Sequence, residues 1–352
     1  MGIKLLNQIT SFGKAFVLRT NALPNDHFVN RFFFVYSCST IVQIPYKSVL
    51  RTLLYGMKLE AALSFSLGEL PELLITRYRL GVILHRLYAT KVYQGEPLRH
   101  LGREFAGMVE FNRSISLLEA SGILKSHPNF PKKAYRLLGR KEESPEEAAC
   151  SIDPFCYVSH LSAMSHHGLT NRLPVKLFLS TPDPRRWKEE AQKQMEKELG
   201  DEFGAYLSAG LPTLTRLSMT RIGQNEVHRF HSLHWGAYKN VRGKTIKVST
   251  IGRTFLDMLR NPELCGGMHH VVEVFEEHAS LYLPAIVGEI DQTGGPIDKV
   301  RAGYILEERI GLQDPAFERW MAFAARGGSR KLDPSEEYRP QWSSKWCLSL
   351  NL

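Results

Sequence analysis

One dense group of reactive side chains is YVSHLSAMSHHGLT, residues 157–170, which holds three histidines and three serines. Metal chelation or a nucleophilic triad is the chemistry such a group could perform. The spacing argues against both. Ser159 reads as a helix N-cap and Gly168 as its stop, giving a helix of about two turns. On that helix His160 and His167 share a face but stand about 10 Å apart along the axis, and His166 and His167 diverge by about 100°. No H-E-x-x-H motif or Ser/His/Asp order accompanies them. Leu161 and Met164 are expected to pack inward. A metal-dependent nuclease built on Asp257, Glu263 and Glu273 is the enzymatic alternative. Those carboxylates come from one helix and its exit, with no general base or lysine at a telling spacing. No catalytic residue, metal or cofactor is therefore expected, and the chain does not read as an enzyme.

The chemistry that the charge distribution favours is phosphate recognition. Residues 1–149 carry 20 Lys/Arg against 12 Asp/Glu, a net +8, whereas residues 150–352 carry 25 against 24, a net +1. Within the front part, residues 71–141 have 13 basic and 5 acidic side chains, again +8. A compact basic module of this kind is the electrostatic footprint of a nucleic-acid binder. In GMVEFNRSISLLEASG, residues 107–122, burying Phe111, Ile115 and Leu118 turns Asn112, Arg113 and Ser116 outward. Arginine and asparagine match guanine and adenine edges. Lys132, Lys133, Arg136 and Arg140 follow in a second basic segment and are candidates for phosphate neutralisation.

The elements that must position these residues read as three helices and a basic hairpin. ELLITRYRLGVILHRLYAT, residues 72–90, has the apolar spacing of one amphipathic helix, and GEPLRHLGREF places Pro97 in the first turn of a shorter second one. The third is the helix just described, stopped by Gly122. Strands over residues 123–126 and 134–138 flank a Pro/Asn turn. This is a winged helix-turn-helix pattern, in which the third helix enters the major groove and the hairpin lies on the backbone or in the minor groove. KEESPEEAAC, residues 141–150, reverses the local charge around Pro145 and reads as a linker. Beyond it, PVKLFLST, LTRLSM, EVHRFHSL and KTIKVST are strand-like, PRRWKEEAQKQMEKELG is a charged helix, and IGRTFLDMLRNPELCGG begins a helix after a capping Ser249 or Thr250.

The expected fold class is therefore α+β: a winged helix-turn-helix domain over residues 57–141, a linker over 142–150, and a mixed α/β domain over 151–352. Residues 1–56 are poorly patterned, and Met57 is a candidate native start. The apolar run at residues 32–44 spans thirteen positions, short of the roughly twenty that a bilayer requires, so no membrane partner is expected. The five cysteines, Cys38, Cys150, Cys156, Cys265 and Cys347, are scattered and never spaced C-x-x-C, which fits a reduced, cytoplasmic compartment.

CYVSHLSAMSHHGLTNRLPVKLFLST, IGRTFLDMLRNPELCGG and GGSRKLDPSEEYRPQWSSKWCLSLN, in that order, resemble successive blocks of AbiEi-type antitoxins of type IV toxin–antitoxin systems. The likeness runs from about Arg77 to the C-terminus. It departs at Gly252-Arg253-Thr254, where the family usually shows Glu-Arg-Thr, and residues 182–217 are longer than in compact members. The resemblance implies an autorepressor that binds operator DNA and counteracts a nucleotidyltransferase-like toxin, without requiring a stable complex with it. It places Arg253, Asp257 and Asp333 on family motifs. From the residues alone, Arg253 and Asp257 are also an i,i+4 pair that can form a simple ion pair, Leu-Asp-Pro opens a turn, and Trp342 and Trp346 can pack the terminal strand. The alternative is a transcription regulator without a toxin, whose C-terminal domain senses a ligand or dimerises.

Overall fold

The computed structural model describes the backbone of residues 32–37 and 40–45, and residues 56–99, 101–139, 144–325 and 330–352 in full. The rest of the expected 1–56 extension, Arg140 and residues 142–143 of the expected linker lie outside the described residues. The chain is mixed α+β with several small sheets. It divides into two compact units, Met1–Ser66 with Ile83–Ala106, and Leu67–Val82 with Gly107–Leu352.

In the first unit, Phe32–Ser37 and Thr40–Pro45 form an antiparallel pair, within a region whose sequence shows no sustained strand periodicity. Glu96–Arg99 is a strand that pairs antiparallel with Val92–Tyr93 and parallel with Met57–Lys58. It replaces the second helix expected at Pro97, and residues 102–105 form bends. The cause is the two-residue connection: Gln94 and Gly95 have φ of 50° and 85°, the left-handed pair that closes a tight hairpin whose twist matches its strands.

The second unit, which begins at Leu67, holds the strand Leu74–Thr76 and the start, to Val82, of the helix Arg77–Thr90, where one helix over residues 72–90 was expected. Leu74 and Ile75 are each 1% exposed. They pair antiparallel with Ala134–Leu137, which also pairs with Leu124–Ser126. This β-branched start thus gains a ladder and a buried face at once. Met108–Ala120 is helical, its N-terminus closed by Gly107 N–H donating to the Glu110 carboxylate at 3.0 Å.

A six-stranded sheet follows, in the order Arg221–Ile222, Asn225–His231, Lys176–Thr181, Tyr157–Val158, Lys247–Ser249, Tyr238–Asn240. Residues 214–219, expected as a strand, are irregular. The helices Ile251–Arg260, Met268–Thr293, Pro296–Gly303 and Pro315–Met321 enclose a core with Phe255, Phe275, Trp320 and Trp346. No described helix is long and apolar enough to cross a membrane.

The expected linker is instead a core element. Ser144 caps the helix Pro145–Ile152 by accepting from Glu147 N–H, and the Glu147 carboxylate returns to Ser144 N–H. Ser-Pro-Glu-Glu is thus a capping box with proline in the first turn. Ala148, Ala149, Cys150 and Ile152 are buried in a cluster with Leu74, Phe130 and Ala134 of the small sheet and Val158, Leu179 and Val248 of the large one. Each large aliphatic side chain so buried contributes about 1.5–3 kcal/mol.

Candidate nucleic-acid interface

Phe111, Ser114, Ile115 and Leu118 hold the Met108–Ala120 helix against its unit, so Asn112, Arg113 and Ser116 lie on the exposed side, as their spacing requires. Val109, 65% exposed, and Leu117 share that side, flanked by Glu110 and Glu119. In the Ala134–Leu137 strand, alternation breaks where Ala134 and Tyr135 are both buried, and Arg136 alone faces out. Lys132 and Lys133 are exposed in the turn before it. Lys132 has φ of 57°, and its N–H donates to Ser126 Oγ at 2.9 Å, which ties the turn to the opposite strand. The structure therefore brings Asn112, Arg113, Ser116, Lys132, Lys133 and Arg136 onto exposed positions of one helix and one hairpin.

Arg77 joins the two and was not among the residues singled out by sequence. Its N–H donates to Lys133 O at 3.2 Å. Its guanidinium lies 4.8 Å from the Phe111 ring centroid and donates through Nη2 to Asn112 Oδ1 at 3.1 Å. It also neighbours the Tyr135 hydroxyl, whose pKa burial raises. Its partner is 35 positions away, beyond the reach of local pattern; its only local sign is a cation at a helix start.

The hairpin turn is fastened at its tip. Phe130 is 3% exposed in the shared core, and Asn129 Oδ1 accepts from Gly223 N–H, in the turn between two strands of the large sheet, at 2.9 Å. Tyr78 donates to Glu198 at 2.8 Å, and Arg79 pairs with the same carboxylate. The helix beginning at Arg77 is thereby held by the end of Pro184–Leu199.

The motif residues in the second half lie inside the molecule. Thr250 caps Ile251–Arg260. Arg253 and Asp257, each 2% exposed, form an ion pair at 2.6 Å. Arg253 also donates to His234 O at 2.6 Å and Ser232 Oγ at 3.2 Å. Burial alone would lower its pKa, but Asp257 overrides this and raises it. Tyr157, buried near the pair, is pushed up to about 12, first by desolvation and then by Asp257. A Cβ at Gly252 would meet Ala285 O at 2.2 Å, so the glutamate of the family pattern has no room here. Asp333 is an internal turn former, its carboxylate accepting from Ser335 N–H at 2.8 Å while its own N–H donates to Asn351. Trp346 is fully buried and Trp342 half exposed.

The histidine helix forms over His160–His166. His160 is fully buried with Nδ1 2.8 Å from Ser159 Oγ, and His167 Nε2 meets Ser249 O at 2.8 Å. These are internal contacts, and burial lowers the pKa of each ring. Among the described residues no group of three or more His, Cys, Asp or Glu is arranged to hold a metal. Compared with known proteins, the chain matches no family model and no curated protein.

Proposed function

We propose that the protein is a DNA-binding autorepressor of the winged-helix kind and the antitoxin of a type IV system, counteracting a nucleotidyltransferase-like toxin. The observation that carries the DNA half is the exposed Asn112–Arg113–Ser116 side of a helix joined through Arg77 to a hairpin bearing Lys132, Lys133 and Arg136. The helices Leu59–Gly68, Arg77–Thr90 and Met108–Ala120, the last two separated by the short strands Val92–Tyr93 and Glu96–Arg99, and the sheet of Leu74–Thr76 beside Ala134–Leu137 beside Leu124–Ser126 support a winged helix. The antitoxin half rests on the three sequence blocks. A second reading, a regulator without a toxin, is favoured by the use of Arg253, Asp257 and Asp333 in internal contacts, which leaves those motifs without a free functional group on the surface.

The test is an anisotropy titration of the full chain against the DNA upstream of its own gene, with random duplex as competitor. Preferential binding supports the repressor; equal binding to both at low salt overturns it. Arg113→Ala is expected to relax sequence preference, and Lys132→Ala to weaken binding evenly and lower its salt slope by about one ion. Coexpression with the neighbouring toxin gene separates the two readings. Rescue of growth supports the antitoxin, and unchanged toxicity the lone regulator.

A further inference from the structure

A guanidinium carries five N–H donors and no acceptor, whereas an asparagine amide has a carbonyl acceptor at one end and two donors at the other. The end of Asn112 that faces Arg77 is therefore its Oδ1, whatever the two ends resemble sterically, and the contact is 3.1 Å. The Arg77 guanidinium is favoured at this place by the Phe111 ring beneath it, a cation–π placement, and by the Tyr135 hydroxyl beside it. Asparagine reads adenine by accepting from N6 and donating to N7 together. With Oδ1 engaged, an adenine could use only the second lone pair of that oxygen. Its N6 amino group would then approach beside the remaining N–H groups of Arg77, donor against donor. A guanine edge offers two acceptors, N7 and O6, either of which can take the outward Nδ2 donor.

We infer that Arg77 is a specificity-determining positioning residue that presents Asn112 to DNA as a hydrogen-bond donor, so that the base it meets is a guanine rather than the adenine that an unconstrained asparagine favours. The inference rests on the DNA-binding reading of this face.

The experiment is selection from a random duplex library by the full-length wild type and by Asn112→Ala, Asn112→Asp and Arg77→Met. Wild type should enrich a site with guanine at the position whose preference Asn112→Ala erases. At that position guanine should lead adenine by about tenfold, within the range of one good base contact. Asn112→Asp keeps an acceptor for Arg77 but removes the outward donor. It should move the preference to cytosine, whose N4 amino group a carboxylate accepts. Arg77→Met should shift it toward adenine. An adenine at that position in the wild-type site, or a guanine that survives Asn112→Asp, overturns the inference while leaving DNA binding intact. Enrichment of no sequence by the wild type overturns the DNA reading and this inference with it. Should Arg77→Met not fold, the aspartate variant decides alone.

Discussion

Gly252→Ala puts the packing of the second unit to a test of sign. Replacing glycine by alanine inside a helix ordinarily stabilises it, by up to about 1 kcal/mol in an interior position. Gly288, exposed in the long helix Met268–Thr293 with open space where a Cβ would be, should show that ordinary gain. Gly252 should show the opposite. Its Cβ would lie 2.2 Å from Ala285 O, 2.9 Å from Ala285 C and 3.0 Å from Glu289 Cβ. Two of those atoms are backbone of a helix whose Phe275 packs on Phe255, and backbone has no rotamer to yield. Carbon to oxygen contacts between helices settle at about 3.3–3.6 Å, so the two helices must part by roughly 1 Å. Overpacking of this severity costs about 3 kcal/mol, which outweighs the propensity gain and leaves a net loss of about 2 kcal/mol. Chemical denaturation of the full chain, comparing midpoints at constant slope, measures it. The midpoint should fall for Gly252→Ala and rise or hold for Gly288→Ala. If both variants are stabilised alike, the close crossing of these helices is wrong.

Three further outcomes follow from buried groups. Asp257→Ala leaves the Arg253 guanidinium enclosed with two neutral hydrogen-bond partners and only the weaker attraction of Glu289, so it should lose about 3–5 kcal/mol; a midpoint shift worth under 1 kcal/mol would show that the pair is solvated. His160 and His167 have folded-state pKa values below the ordinary histidine value of about 6.5, chiefly through burial. The unfolded chain then binds more protons below that value, so this stability is present above about pH 6.5 and lost as the pH falls toward the folded values, at about 1.4 kcal/mol per pH unit for each proton. A flat denaturation midpoint between pH 7 and 5 would contradict it. Phe130→Ala empties a core site under the hairpin turn and should cost about 3–5 kcal/mol, whereas the mild loss of an exposed turn residue would mean that the turn is free.

What could be read locally from the residues matches the structure closely. The exposed side of Met108–Ala120, its stop at Gly122, the two-turn histidine helix and the strand, cap and helix sequence around Thr250 each depend on contacts within one turn or one ladder step. The misses share the opposite cause. Leu74 and Ile75 fit the helical periodicity of residues 72–90 as well as a strand, and only the pairing partner Ala134–Leu137, some 60 residues on, selects the strand. Ser144 to Glu147 was legible as a capping box, yet proline and charge read more loudly as a linker; what decided it was burial of Ala148, Ala149 and Ile152 under both sheets. Within the candidate interface, the outward residues could be named from spacing, but the orientation of Asn112 depends on Arg77, and no pattern within one element relates them.

The same long-range contacts bear on the proposed division into a DNA half and an antitoxin half. Separate DNA and antitoxin domains would allow either to be cut away. Here the hairpin turn is bonded to the large sheet through Asn129 and Gly223, its Phe130 lies in a core that includes Val158, Leu179 and Val248, and Glu198 holds both Tyr78 and Arg79 next to Arg77. Glu198 belongs to the charged helix Pro184–Leu199. That helix therefore has a structural use: it braces the helix whose first residue is hydrogen-bonded to Asn112. A change in the large sheet reaches the candidate interface through packed side chains rather than through a linker. A fragment ending near residue 149 would expose Phe130, Ala148 and Ala149 to water, so its failure to bind DNA would report lost packing rather than a lost site.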